Sequence, residues 1–538
     1  MTSVEVPDLT DIREGLSLRR QVRIVAGERA RRHAASACLL VSLLVLVGAV
    51  HAIGMWTFPR WVDDPGTYLS QAWSFQYQHA LSPYSYIYDH APAGWIQLSL
   101  WSMLTNGFNR HASAIGFGNE CMLIAKLASC ALLFALCRRL QFSRWGAAAA
   151  VLLFGLCPLE LMYSRWTFLD NLVTPWLLLA FFLAASPRRS ISAATGAALA
   201  FAMAALTKET ALVVLPALVW TMAQNLDRRN RPQLVAVAGF GGLLLMAMYP
   251  LYGLYKGELL EHAGRNSLLG TAKWQLVERE SSGSLLDPSS PTAHMVGQWL
   301  GIDRWLLLAG LAAIPIALLA RRLRPSVLVL VIQWLVLVRG GYVPFMHVVN
   351  LMPWSALLVA GAVEIVAGNR HLATFRRLAG GRRSGRPLPR RRAVATGLAT
   401  VCLAAALVGL WIPTLRQMTL QARQEPPLWS ATQWLADNVP RDKVLVVHDS
   451  IWTDLVHHYG FDPQPIIVYK LDTDPAVRER LRRIDYLVLP NWYYATPTGV
   501  AKYPTVAEAR KHAVAVAWFG SGDDGVRIYR VSRYWRPG

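Results

Sequence analysis

WVDDPGTYLSQAWSFQYQHALSPYSYIYDHAPAGWIQ, running from Trp61 to Gln97, is the stretch whose reading decides the rest of the chain. It follows one long apolar run and precedes another, so it lies at a membrane face. Yet it holds three aspartates, two histidines and a crowd of aromatic residues. A polar, aromatic segment at that depth calls for a chemical reason, because ionisable groups near hydrocarbon are costly and usually functional.

The surrounding composition agrees with a membrane setting. The chain has 538 residues, 54% of them hydrophobic and 16% charged, with a mean hydropathy of +0.30, which marks a polytopic membrane protein. The formal charge of +21 does not point to nucleic acid. Its arginines gather in short runs between apolar segments, as loops kept in the cytoplasm do. All six cysteines lie in or at the ends of apolar runs, which argues against a disulfide or metal framework. A polar, arginine-bearing start (1–34) leads into an apolar run with no small-residue cleavage site, and reads as a cytoplasmic tail before a retained first span.

A span needs about 20 mostly apolar residues. On that rule spans are expected at Ala35–Trp56, Ala114–Cys137, Trp145–Met162, Phe168–Ala185, Ile191–Thr207 and Thr210–Asn225. Further ones follow at Leu234–Tyr255, Met295–Leu319, Ser326–Val338, Tyr342–Val366 and Ala393–Trp411. This count of about eleven puts every arginine cluster on one side. These are Arg29, Arg31 and Arg32; Arg138, Arg139 and Arg144; Arg188 and Arg189; Arg228, Arg229 and Arg231; and Arg321, Arg322 and Arg324. The expected membrane domain is 35–415, with outer loops 57–112 and 256–294 and a basic cytoplasmic loop at 367–392. From 425 to 538 strand-like and helix-like pieces alternate, predicting a small extracytoplasmic α/β domain. The whole reads as a multi-pass protein of the plasma membrane with a cytoplasmic amino terminus.

Candidate chemistry gathers at the outer ends of the spans. Asp63 and Asp64 beside Pro65 and Gly66 fit an ordinary solvated turn. The helix-like run Tyr68–Tyr77 behind them, with Trp73 and Phe75, would lie along the membrane surface and pin them at the interface. Tyr84, Tyr86, Tyr88 and Trp95 suit an aromatic belt as well as sugar stacking, but Asp89 next to His90 offers a group that titrates near neutrality. Arg165, Asp170 and Asn171 occupy a third outer turn, and Lys208 with Glu209 a fourth; Arg265, Lys273, Arg279, Arg339 and His347 complete the set. Carboxylates suit deprotonation of a hydroxyl, and Lys, Arg and His suit a phosphate leaving group.

These residues resemble the GT-C glycosyltransferases, in the branch that holds protein O-mannosyltransferases and the lipid A aminoarabinose transferase. Asp63-Asp64 followed by Gly66, Tyr68 and Ala72 is similar to the Asp-Glu/Asp motif of that branch's first outer loop. Tyr88-Asp89-His90-Ala91-Pro92-Ala93-Gly94-Trp95 is similar to its Lys/His-Pro-Pro segment, with Ala91 in place of the first proline. Arg165 to Asp170 and Thr207-Lys208-Glu209 resemble two further positions. The resemblance implies an α-helical polytopic fold and inverting transfer from a polyprenyl-phosphate sugar to a hydroxyl acceptor outside the cytoplasm. It implies Asp63 as general base, Asp64 orienting it or the sugar, and Asp170 as a second acidic group. His90, Lys208 and Arg165 would neutralise the lipid phosphate, while Tyr68, Tyr88, Asp89, Trp95, Asn171 and Glu209 would line the substrates. A divalent cation is compatible with the superfamily, but no ligand spacing here requires a metal. The implied partners are the lipid-linked sugar, a hydroxyl acceptor and membrane lipids, with no nucleic acid.

Two other classes fit parts of the pattern. A flippase of lipid-linked sugars would line its path with mid-span charges, of which Glu120, Lys126 and Glu364 are the main ones. A membrane-anchored carbohydrate-binding protein would use surface aromatics such as Trp492, Tyr493 and Tyr494.

Overall fold

Apolar runs bounded by Arg, Pro and Gly become helices wherever they are long enough to bury a face, and the computed structural model follows that rule. It describes residues 34–187, 190–226, 229, 231–261, 266–368, 390–493 and 502–535. The tail 1–33, Arg188, Arg189, Arg228, Arg265, positions 369–389 of the basic loop and Tyr494 lie outside the described residues.

The chain runs from α1 (Ala34–Ala52) through α2 (Asp63–Tyr77) and α3 (Ala93–Thr105) of the first outer loop. It continues as α4 (Ala114–Arg139), α5 (Arg144–Leu156), α6 (Leu169–Ala184), α7 (Ile191–Thr207), α8 (Leu215–Asn225) and α9 (Arg231–Tyr255). After the second outer loop come α10 (Pro291–Leu318), α11 (Arg324–Val338), α12 (Met352–Gly368) and α13 (Arg390–Gln421). Among the described residues five helices are long and apolar enough to cross a membrane: α1, α4, α9, α10 and Phe345–Val366, which includes α12. The last is central, with 94% of its apolar window buried, whereas α9 is peripheral at 11%. Shorter apolar helices α5, α6, α7 and α11 fill the space between.

Several expected spans are interrupted, among them Met295–Leu319, kinked where Asp303 leaves the helical region, and Tyr342–Val366, which opens as a 3₁₀ turn, Phe345–Asn350. The one read as Trp145–Met162 breaks after Leu156, because Pro158 lacks an N–H and holds Cys157 extended at ψ 132°. The one read as Thr210–Asn225 opens as a 3₁₀ turn, Glu209–Val214, before α8.

Beyond α13 lie α14 (Pro427–Asn438) and α15 (Asp449–His457), with a five-stranded sheet of order β2-β1-β3-β5-β4. Its strands are β1 (Leu445–Val447), β2 (Ile466–Ile467), β3 (Tyr486–Pro490), β4 (Ala513–Phe519) and β5 (Val526–Val531). Strand β1 pairs in parallel with β2 and β3 and is buried throughout, which is why its text reads as a continuous apolar run. β5 pairs antiparallel with both β3 and β4.

This segment does not stand apart from the first outer loop. A single apolar cluster joins Leu69 and Trp73 of α2 and Trp95 and Leu98 of α3 to Leu435, Val447, Trp452, Val488 and Ile528. Trp73 meets Trp452 edge-on at 5.6 Å, and its indole N–H donates to His457 Nδ1 at 3.2 Å. Gly66 lets the backbones touch, since a Cβ there would stand 2.2 Å from Asp449 C and Ser450 N. The expectation that Tyr68–Tyr77 lies on the membrane surface is thereby corrected: the aromatic face of α2 is spent on the carboxy-terminal segment.

Candidate functional site

Asp63 and Asp64 form the first turn of α2, where Val62 leaves the chain extended. Carboxylates there face the positive end of the helix dipole, a contribution of about 0.3–1 kcal/mol each. Being adjacent, they point different ways. Asp64 lies among the charges of Lys208, Asp63, His90 and Asp170. Burial pushes its carboxyl up, Lys208 pulls against that, and the Asp63 charge adds to the rise. Asp63 turns to the carboxy-terminal segment, where Oδ1 accepts from His448 Nε2 at 2.7 Å. Burial would raise its carboxyl, but the His448 hydrogen bond and charge, with Lys502 and Tyr493, bring it below the ordinary aspartate range.

Below Asp64 two ion pairs close the space. Lys208, just past the end of α7, donates to Asp170 Oδ2 at 2.6 Å, and Asn350 donates to Asp170 Oδ1 at 3.2 Å. Both charged side chains are under 5% exposed. His90 Nδ1 donates to Glu209 Oε1 at 3.0 Å, and its ring lies 6.2 Å from that of Tyr68. Burial lowers the His90 imidazole, yet the Glu209 carboxylate and its hydrogen bond leave it above the usual histidine value. Asp89 keeps Oδ1 buried without a hydrogen-bond partner. Thus Asp63, Asp64, Tyr68, Asp89, His90, Asp170, Lys208 and Glu209 assemble in one region.

Other candidates are placed elsewhere. Arg165 donates to the carbonyls of Val50 at 3.0 Å and Ile53 at 2.9 Å. Its guanidinium closes the open carbonyl end of α1 instead of facing a phosphate. Asn171 donates to the carbonyls of Tyr163 and Trp166 and holds the turn before α6. Trp95 is 0% exposed, packed edge-on to Tyr86 at 6.0 Å, and belongs to the core. The Tyr88 hydroxyl donates to Glu258 Oε2 at 2.6 Å and ties the first outer loop to the second.

His448 and Asp449 join the site without having been anticipated. Asp449 Oδ2 accepts from Thr67 at 2.8 Å, and its Oδ1 is 3.1 Å from His448 Nδ1. Their signal was VVHDS, an apolar strand running into a helix start, which is where parallel sheets present polar groups. Donor atoms of Asp63, His448 and Asp449 lie within 4.8 Å of one another, close enough to share a metal ion. Arg279 stacks on Tyr342 at 3.3 Å, and that tyrosine feels both Asp64 and Lys208. Among the described residues no carboxylate pairs with Arg279.

A model of the dolichyl-phosphate-mannose-protein mannosyltransferase family matches residues 90–251. The apo oligosaccharyltransferase of Archaeoglobus fulgidus is similar in structure at 13% identity and a TM-score of 0.52, over 92% of this chain and 74% of that one. ArnT from Cupriavidus metallidurans bound to undecaprenyl phosphate is similar at 16% identity and a TM-score of 0.50, over 93% of this chain and 98% of that one. No curated protein matches the sequence. The likeness to the solved structures is one of fold. The family match over residues 90–251, which holds the His90, Arg165–Asp170 and Lys208 positions, bears out the resemblance read from the sequence.

Proposed function

We propose that this protein is a membrane glycosyltransferase that moves a sugar from a polyprenyl-phosphate donor to a hydroxyl acceptor at the extracytoplasmic face. The carrying observation is the placement of two adjacent carboxylates at the start of α2, one facing Lys208, His90 and Asp170 and the other facing His448. The GT-C fold is the supporting context. ArnT, one of the proteins of like fold, was crystallised with undecaprenyl phosphate bound, and a lipid phosphate is the leaving group this charge arrangement suits.

In this reading Asp63 accepts the acceptor's hydroxyl proton as the oxygen attacks the anomeric carbon from the face opposite the phosphate. The carbon–oxygen bond to the phosphate breaks, its electron pair stays on the lipid phosphate, and the configuration inverts. Asp64 orients the sugar. His90 and Lys208 offset the phosphate charge, with Arg279 of the second outer loop as a further cation. With the cytoplasmic amino terminus and about eleven crossings read from the sequence, α2 and the segment 425–538 would lie on the outer side.

The test is purified protein offered a panel of undecaprenyl-phosphate pentoses and hexoses, with products identified by mass. Replacing Asp63→Asn leaves an amide that cannot take a proton, so transfer is expected to fall by about 10²-fold or more with fold and insertion retained. Full residual activity in that variant would move the base elsewhere.

A further inference from the structure

We propose that His448 is a positioning residue of this reaction: carried in by the carboxy-terminal segment, it holds one oxygen of Asp63 so that the other is aimed at the acceptor. This rests on the reading of Asp63 as the base. The two residues are 385 positions apart in sequence, and the contact between them is direct.

The geometry fixes which nitrogen does what. His448 precedes α15 as its amino-terminal cap, and its Nδ1 accepts from the backbone N–H of Ser450 at 3.2 Å. The Asp63 carboxylate can only accept, so Nε2 carries a proton and donates to Oδ1 at 2.7 Å. The ring has no room to turn. Its side chain is 0% exposed, with Trp492 edge-on at 5.5 Å and Tyr493 at 6.1 Å. Behind it Asp449 is itself held by Thr67, whose hydroxyl donates to Oδ2 at 2.8 Å.

A proton shuttle is the competing role, and the exposures argue against it. The Asp63 side chain is 47% exposed while that of His448 is wholly enclosed. A proton taken by Asp63 has its own way to water, so the imidazole is not needed to remove it. What a half-exposed carboxylate lacks is a fixed orientation, and a short charge-assisted hydrogen bond from a clamped ring supplies it. On this account the carboxy-terminal segment is part of the reaction centre.

The experiment uses full-length purified protein and the undecaprenyl-phosphate sugar that the panel turns over fastest. Four proteins are compared with wild type: His448→Leu, His448→Gln, Asp63→Asn and the Asp63→Asn/His448→Leu double variant, each checked for monodispersity. Glutamine keeps an N–H at similar reach but cannot titrate; leucine removes the donor. Expected is a fall in kcat of about 10–10²-fold for leucine, with the donor KM nearly unchanged, and recovery of most of that loss by glutamine. In the double variant the leucine change adds nothing. Wild-type rates for both single His448 variants, or glutamine as poor as leucine, would overturn the inference while a dead Asp63→Asn still left the base in place. An active Asp63→Asn, or a panel with no donor used, would sink the underlying reading instead. If the leucine variant does not fold, His448→Asn, whose amide is too short to reach Asp63, takes its place: a fall in kcat that His448→Gln does not share supports positioning, and equal kcat for the two overturns it.

Discussion

The two cations nearest Asp64 each arrive with a carboxylate already attached. Lys208 holds Asp170 and His90 holds Glu209, so on the proposed function a lipid phosphate would have to share them. Stripping one partner from a pair as buried as Lys208 and Asp170 typically costs about 3–5 kcal/mol, which favours sharing over exchange. His90 adds a pH signature. Its folded value lies above the ordinary 6.5, so the cation is present below that point and is lost as pH rises through the raised value. Donor KM is therefore expected to climb on the alkaline side, and His90→Gln should flatten that limb; an unchanged limb in kcat/KM profiles would remove His90 from the donor site. At this scale the sequence was informative about charge and blind to pairing. Asp63, Asp64, His90 and Lys208 announced themselves as ionisable groups at span ends. Arg165 carried the same signal, but the carbonyls of Val50 and Ile53 that claim it lie more than a hundred residues away and leave no trace in the local text.

Among the elements, α2 depends most on a single small residue. Gly66 is packed against the backbone of α15, and Gly66→Ala has to push the two helices apart. Overpacking of this kind costs about 1–3 kcal/mol, so the variant is expected to expose the carboxy-terminal segment to limited proteolysis and to lower transfer; wild-type protease resistance would show that the contact gives way cheaply. Helix positions were legible where an apolar run is unbroken, as the expected span Ile191–Thr207 coincides with α7. The face each element buries was not. Trp73 read as a membrane anchor, and Trp452 on the partner helix claims it instead.

For the molecule as a whole, the reading places the sheet outside the cytoplasm. Val514 on strand β4 is 69% exposed, so Val514→Cys in a background without the six native cysteines is expected to react with a membrane-impermeant maleimide in intact cells. Protection there, with labelling only after permeabilisation, would reverse the orientation. The arginine pattern is the ground for this orientation because it is a sum over many loops. It could not show that the first outer loop and the last hundred or so residues share one apolar core. That shared core sets an order of events during synthesis. The early helices reach the membrane long before Leu435, Val447 and Trp452 leave the ribosome, and until then α2 has no cover and Asp63 no imidazole. On the proposed roles, a ribosome-bound or prematurely stopped chain is expected to be inserted but inactive, with transfer appearing only once the last-made part has folded back onto the first.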